Sequence, residues 1–380
     1  MHVVQTHTRY FPHVDGVGST VREQSRELVA RGHRVTVLCS KVDPSRPATE
    51  EIEGVQIRRI PTAGQISDTH LPLNLPVELA RIVPDADVLH AHLPTPWTAD
   101  VTALGGYLSG TPTVLTYHND LVGTGLASHA AALYNWTGLE LTLRLVDRIA
   151  ITQPDYLTDS AHLGRFAVKV TVVPNGVDPT TFSPPGDESR TGARPQLFFL
   201  ALLDENHTYK GLDVLIDALA HLFESEDAAV CPDLIIGGDG GNRAAYEQQV
   251  RDRDLDDHVT FLGYVPEADL PRRYAEADAF VLPSRSSAQE GFGLVLLEAL
   301  ACKTPVVTTP VVGIADTIAA EPVGTLVDPD DPVALADGIE AVLGGAVDLN
   351  RDRMRTICEE RFSWGASVDT LEEVYRDLVQ

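Results

Sequence analysis

Glu290-Gly-Phe-Gly-Leu-Val-Leu-Leu-Glu298 sets two carboxylates around two glycines, just ahead of the apolar run LVLLEALAC. The spacing predicts that Gly291 and Gly293 open a helix. The first N–H groups of a helix have no partner inside it, and the helix dipole adds positive potential at that end. Such an end favours an anion, a phosphate above all. Glu298 falls two turns further along, which helical spacing brings towards the face of Glu290. A carboxylate there can accept hydrogen bonds from a ribose diol. Taken alone, the pair is better described as a capped helix with two surface glutamates, because helix starts are rich in acids.

These residues need elements to position them. HVVQTH, VTVLCS, VQIRRIP, DVLHAH, PTVLTYH, DRIAITQ and VTVVPNG read as short buried strands, with a helix from Thr20 to about Arg31 after the first. Strands that alternate with helices indicate a parallel, doubly wound sheet. PTTFSPPGDESRTGARPQ, at 179–196, has the Pro, Gly, Ser and charge of a linker. The alternation then restarts with QLFFLALL, a helix over 211–224, DLIIGGD, VTFLGYV, AFVLPS and TPVVTT. Ligands of open parallel sheets bind beyond the carboxyl ends of the strands. His7, His92, His118, Asp239 and Ser284 fall there.

Composition excludes several classes. The 29 Lys and Arg against 55 Asp and Glu give a net charge of −26, spread along the chain, which repels nucleic acid. The same surface suits molar salt, in which the Debye length shrinks to about 3 Å, so a halophilic setting is expected; an acidic protein of ordinary habitat is the alternative. The four cysteines form no CxxC pair and fit no zinc spacing, as expected of small apolar residues in a reducing cytoplasm. No run of eighteen apolar residues is present, and the N-terminus lacks the pattern of a signal peptide. The Asp85–Asp87, Asp252–Asp254 and Asp254–Asp256 triplets read as chance in an Asp-rich chain, so no metal is expected.

The stretch PSRSSAQEGFGLVLLEALACKTPVVTTPVVGIADTI resembles the donor-binding signature of the retaining glycosyltransferases of family 4, which have the GT-B fold. VVPNGVDPTTF, GDGG at 238–241, VTFLGYVPEADLPRRYAEADAFVLPS, GTLVDPDDPVALADGI and RFSWGASVDTLEEVY resemble further family segments, in order over nearly the whole chain. The resemblance implies an α/β GT-B fold: two Rossmann-like, doubly wound parallel-sheet domains facing a cleft. It assigns 1–178 to an acceptor-side domain joined by a C-terminal helix at 363–380, 179–196 to a linker and 197–362 to a nucleotide-sugar domain.

The resemblance also implies site roles. Glu290 contacts the transferred sugar; the amides of Gly291, Phe292, Gly293 and Leu294 meet the sugar and phosphates; Glu298 holds the ribose. Lys210, in TYKGLDVL, neutralises the diphosphate, as a cation should where negative charge develops on a leaving group. A solvated lysine ahead of a helix is the alternative, though lysine is scarce here, with four in the chain. His118 in TYHND faces the donor sugar, and Gly16 and Gly18 form a loop that lets backbone approach donor phosphate and acceptor. Asp239, Gly240 and Val265 complete the expected donor contacts; Tyr10, His92 and Asn119 are the acceptor candidates.

Three departures stand out. Asp15 replaces the first glycine of the loop, Lys303 stands where glycine is usual, and Leu202 occupies the place of a phosphate-binding arginine, so that one phosphate contact is either lost or supplied elsewhere, with Arg285 or Arg243 as candidates. The expected activity is transfer of a sugar from a nucleotide-sugar donor to a glycan, lipid-linked or small-molecule acceptor, with retention, by front-face attack. No cofactor or metal is expected, the location is cytoplasmic, and membrane contact is at most peripheral. An epimerase or phosphorylase on the same fold, or a non-catalytic nucleotide-sugar binder, are the alternatives. The sugar, base, acceptor and linkage are not legible in these residues.

Overall fold

A computed structural model describes residues 1–12, 16–66, 69–121, 127–184, 194–224, 230–287 and 289–380. By its contacts the chain forms two compact units, Met1–Asn175 with Trp364–Gln380, and Gly176–Ser363. Residues 176–178, expected at the end of the first domain, therefore belong to the second unit. Val177 explains the difference: its N–H donates to Phe362 O at 2.7 Å and it bridges to Ser363. Asp15 and residues 185–193, half of the expected linker, lie outside the described residues.

The first unit holds an eight-stranded sheet in the order Val170–Val172, Arg148–Ile151, Thr113–Tyr117, Val88–Leu93, His2–Thr6, Arg34–Lys41, Val55–Pro61, Thr49–Ile52. All its pairs are parallel except the last. That last pair is a hairpin absent from the sequence reading, turned by Glu53 at φ 54° and Gly54 at φ 79°. Two positive φ values make the tight turn whose twist matches the strands it joins. Thr49–Ile52 alternates exposed and half-buried residues, as an edge strand does.

Strand residues alternate between the faces of this sheet. Val3 packs with Val21, Leu28 and Tyr375, while Val4 packs with Leu75, Leu79 and Ile82. The C-terminal helix Trp364–Val379 contributes Val368, Leu371 and Tyr375 to the first of these clusters. Burying each such side chain stabilises the unit by about 1.5–3 kcal/mol. Arg31 Nη1 donates to Glu372 at 2.9 Å and to Asp369 at 2.6 Å, tying the same helix to the first one.

The second unit holds six parallel strands in the order Val259–Gly263, Asp233–Gly237, Gln196–Leu200, Ala279–Leu282, Val306–Thr308, Gly324–Leu326. Numbered within the unit this is 3-2-1-4-5-6, the doubly wound dinucleotide-binding order. Its core runs through Phe198, Phe280, Leu215, Leu297 and Ile339.

Strand order locates the crevices. Chain direction across the sheet reverses between Gln196–Leu200 and Ala279–Leu282 in the second unit. In the first it reverses between His2–Thr6 and Val88–Leu93. Ligands of this architecture lie at the carboxyl ends beside such a switch point.

Candidate active site

Lys210 and Glu290 follow the two strands that flank the switch point of the second sheet. Asp204 caps the 3-10 turn Glu205–Lys210, accepting from the N–H groups of Asn206 and His207. Gly211 then turns the chain at φ 77°, so close to the neighbouring strand end that a Cβ there would lie 2.2 Å from Pro283 O. Arg285 N donates to Tyr209 O at 2.8 Å and closes the same contact. Lys210 Nζ thereby reaches Glu290 Oε1 at 2.8 Å and Oε2 at 2.7 Å. Ser284 Oγ, at the end of the next strand, donates to Glu290 Oε2 at 2.6 Å. Glu290 is 2% exposed. Burial works against the Lys210 charge, but the Glu290 carboxylate outweighs it and holds the ammonium above its ordinary value.

The helix begins later than the sequence spacing implied. It spans Leu294–Ala301, capped by Gly293 at φ 82°, and Glu290, Gly291 and Phe292 precede it. Glu290 and Glu298 therefore do not share a helical face; Glu290 is placed by Lys210 and Ser284 instead. Gly293 is needed on two grounds, its left-handed φ and a Cβ that would meet Leu296 Cδ1 at 2.9 Å. Phe292 is buried against Phe362. Glu298 accepts from the Tyr274 hydroxyl at 2.6 Å. Burial pushes its carboxyl up to about 7, with the Tyr274 hydrogen bond pulling the other way.

The glycine loop after Asp233–Gly237 lies against the loop after Gln196–Leu200. Gly238, at φ 117°, would place a Cβ 1.8 Å from Ala201 O, and one at Gly240 would lie 2.4 Å from Leu203. Leu203 N donates to Asp239 O at 3.0 Å, and Gly240 N to Asp239 Oδ1 at 2.9 Å. Val265 packs on this loop, its Cγ2 3.1 Å from where a Gly237 Cβ would be. Leu202, in the place of the missing arginine, is 57% exposed. Both substitute arginines are held by carboxylates: Arg285 by Asp213 and Asp330, Arg243 by Glu247 at 2.8 Å.

In the first unit Gly16 and Gly18 lie in the first turn of the helix Gly16–Ala30, not in a loop. A glycine tolerates both conformations. His118 is 3% exposed, and His92 Nδ1 lies 3.2 Å from its Nε2. The acceptor candidates fare differently. Asn119 is half-buried at the strand end. Tyr10 is buried in the first core beside Val21 and Val37, and His92 is 0% exposed among the rings of His7, His90 and His118. Neither of the last two presents the open face that an acceptor contact requires. Among the described residues no group of three His, Cys, Asp or Glu is arranged to hold a metal ion, and no helix is long and apolar enough to cross a membrane.

Two family descriptions match in succession, "Glycosyltransferase Family 4" over residues 14–181 and "Glycosyl transferases group 1" over 190–360. The phosphatidyl-myo-inositol mannosyltransferase of Mycobacterium leprae is 30% identical over 376 residues, covering 96% of this chain and 93% of its own. The chain belongs to glycosyltransferase family 4. A further relative of this transferase is D-inositol 3-phosphate glycosyltransferase 1 of Catenulispora acidiphila, 29% identical over 393 residues, with 96% and 91% of the two chains covered. Among solved structures, Anabaena HepE in complex with UDP and glucose superposes with a TM-score of 0.78 at 18% identity, covering 99% of this chain and all of that one. Sucrose-phosphate synthase of Thermosynechococcus elongatus does so at 0.77 and 22%, covering 99% and 98%. These likenesses give the transferase the GT-B fold of two Rossmann-like domains.

Sequence reading did not find Ser284 as the hydroxyl on Glu290, nor Tyr274 as the partner of Glu298. In the sequence Ser284 is only a polar residue at a strand end, and nothing distinguishes Tyr274, whose ring is an ordinary core residue.

Proposed function

We propose that the transferase moves a hexose from a nucleoside diphosphate sugar to a hydroxyl of an inositol-containing or other lipid-linked acceptor, with retention at the anomeric carbon. The observation that carries this reading is the Lys210–Glu290–Ser284 cluster beside the switch point of the second sheet. Lys210 is the cation for the departing diphosphate, where positive charge stabilises the transition state most. Glu290 and Ser284 take the hydroxyls of the transferred sugar. The ion pair keeps Lys210 charged and Glu290 in place until donor oxygens compete for the ammonium. Glu298 accepts from the ribose, and the amides of Gly291, Phe292, Gly293 and Leu294 meet the phosphates.

His118 contacts the donor sugar, and Gly16 and Gly18 offer first-turn amides. Attack comes from the front face, with the leaving phosphate taking the acceptor proton, so that no metal and no enzyme nucleophile take part. The names of the relatives support an inositol acceptor, and the UDP complex of HepE supports a uridine or similar nucleotide. The reaction is cytoplasmic, with the lipid acceptor met at the membrane face.

The test is incubation with UDP-glucose, UDP-N-acetylglucosamine and GDP-mannose, each with inositol phosphate or phosphatidylinositol vesicles, in chelator. Release of nucleoside diphosphate together with a glycosylated product of matching mass is expected. A strict need for a divalent ion overturns the metal-free step. Leu202, exposed where a phosphate-binding arginine was expected, favours a second reading as a nucleotide-sugar binder without turnover. Tight UDP binding with no product from any donor selects that one.

A further inference from the structure

The first unit carries a stack of buried histidines of which the chemistry above uses only His118. His90 and His92 alternate along Val88–Leu93 and so share one face of the sheet. His92 pairs in register with Thr116 on the next strand, two residues before His118. The His90 and His92 ring centroids are 4.3 Å apart, and the His92 and His118 rings stack at 5.5 Å and 18°. His90 is pinned at both nitrogens, Nδ1 against the Tyr375 hydroxyl at 2.6 Å and Nε2 against the Thr116 hydroxyl at 2.7 Å. Thr95 fixes the far end by donating its hydroxyl to His92 O. His90 and His92 are both 0% exposed.

Rings this polar are costly to bury where a leucine would pack, because a buried polar atom without a partner destabilises a fold. His92 has such an atom, for its Nε2 is buried and meets no hydrogen-bond partner. We propose that His92 is a positioning residue for His118, holding that ring in one orientation and one tautomer through the bond between His92 Nδ1 and His118 Nε2. This rests on the reading above that His118 contacts the donor sugar.

The direction of the bond follows from the orphaned nitrogen. An unpartnered buried N–H is rarer in proteins than an unpartnered acceptor. The single hydrogen of neutral His92 therefore lies on Nδ1, and Nε2 is the bare imine. His92 Nδ1–H donates, His118 Nε2 accepts, and the hydrogen of His118 is left on its own Nδ1. Burial, with the neighbouring His90, His118 and His7 rings adding to it, holds His92 well below its ordinary value, so it stays neutral as the donor role requires.

The test uses the full chain labelled with ¹⁵N-histidine. Long-range ¹H–¹⁵N correlation should show His118 as a single Nδ1–H tautomer, assigned by its loss in His118→Gln. In His92→Phe, which fills the space without the hydrogen bond, His118 should become a mixture of tautomers. In His92→Asn, whose amide nitrogen falls near the place of Nδ1, the single tautomer should return. Turnover is read as UDP or GDP release from whichever of UDP-glucose, UDP-N-acetylglucosamine and GDP-mannose the wild type consumes. His92→Phe should lower kcat about tenfold to a hundredfold with little change in donor KM, the scale expected of a misplaced group. It should lower kcat no further in a His118→Ala background, and His92→Asn should recover most of the loss. Unchanged His118 signals in His92→Phe overturn the proposal, as does an equal loss with and without the His118 ring. Full turnover by His118→Ala overturns instead the assignment of His118 to the donor sugar, and the tautomer spectra then judge the hydrogen bond by themselves.

Discussion

Replacing Lys210 by methionine removes the ammonium from a carboxylate that is 2% exposed, while keeping most of the side-chain volume. At 2.7–2.8 Å and an effective dielectric of about 20, the lost attraction is about 6 kcal/mol. Much of that only offsets the cost of taking both charges out of water. Loss of one partner from a buried pair destabilises by about 3–5 kcal/mol, because the other charge is left uncompensated. For a unit of this size, that lowers the melting temperature of its transition by about 6–20 °C. Lys210→Met combined with Glu290→Gln leaves no stranded charge and should regain most of the stability. Turnover should not return, because the cation for the leaving diphosphate is still missing; a fall of about 10²–10³ in kcat is expected of both variants. Calorimetry with nucleoside diphosphate release on the two singles and the double separates the roles. A double variant no more stable than Lys210→Met refutes the ion-pair account. Near-normal turnover in Lys210→Met refutes the catalytic one.

Four further outcomes follow. If ionised Glu298 holds the ribose, its value of about 7 makes UDP affinity rise about tenfold between pH 6 and 8, and Glu298→Gln should flatten that profile in titration calorimetry. Its sign in stability is opposite: a carboxyl raised on folding stabilises fully below its unfolded value of about 4.5, and that contribution is lost as pH rises through about 7, so an unliganded melting temperature insensitive to Glu298→Gln across that window counts against the burial described here. Gly238→Ala should destabilise by about 2–4 kcal/mol in urea melts, since its Cβ would collide with Ala201 O at a left-handed φ, whereas Gly16→Ala meets nothing within 4 Å in a helical turn and should be neutral or mildly stabilising. The net charge of −26 should make the melting temperature climb from dilute buffer to molar KCl, and a flat salt series would remove the case for a halophilic surface.

The sequence by itself determined the two α/β units, the strand segments other than Thr49–Ile52 and Gly324–Leu326, the phosphate-favouring glycines before LVLLEALAC and the family, because all of these are written in local period, composition and short motifs. It also marked Lys210 and Glu290 as separate candidates. Only the tertiary structure decided that they form one pair, for they are eighty positions apart and meet because Gly211 packs on Pro283. It moved the helix start from Gly291 to Leu294, and so replaced a shared helical face by a contact across two strand ends. It turned His92 from an acceptor candidate into the buried neighbour of His118, which depends on Val88–Leu93 lying beside Thr113–Tyr117. Periodicity says which face of a segment is buried; strand order says what that face meets, and strand order is set by packing between distant parts of the chain.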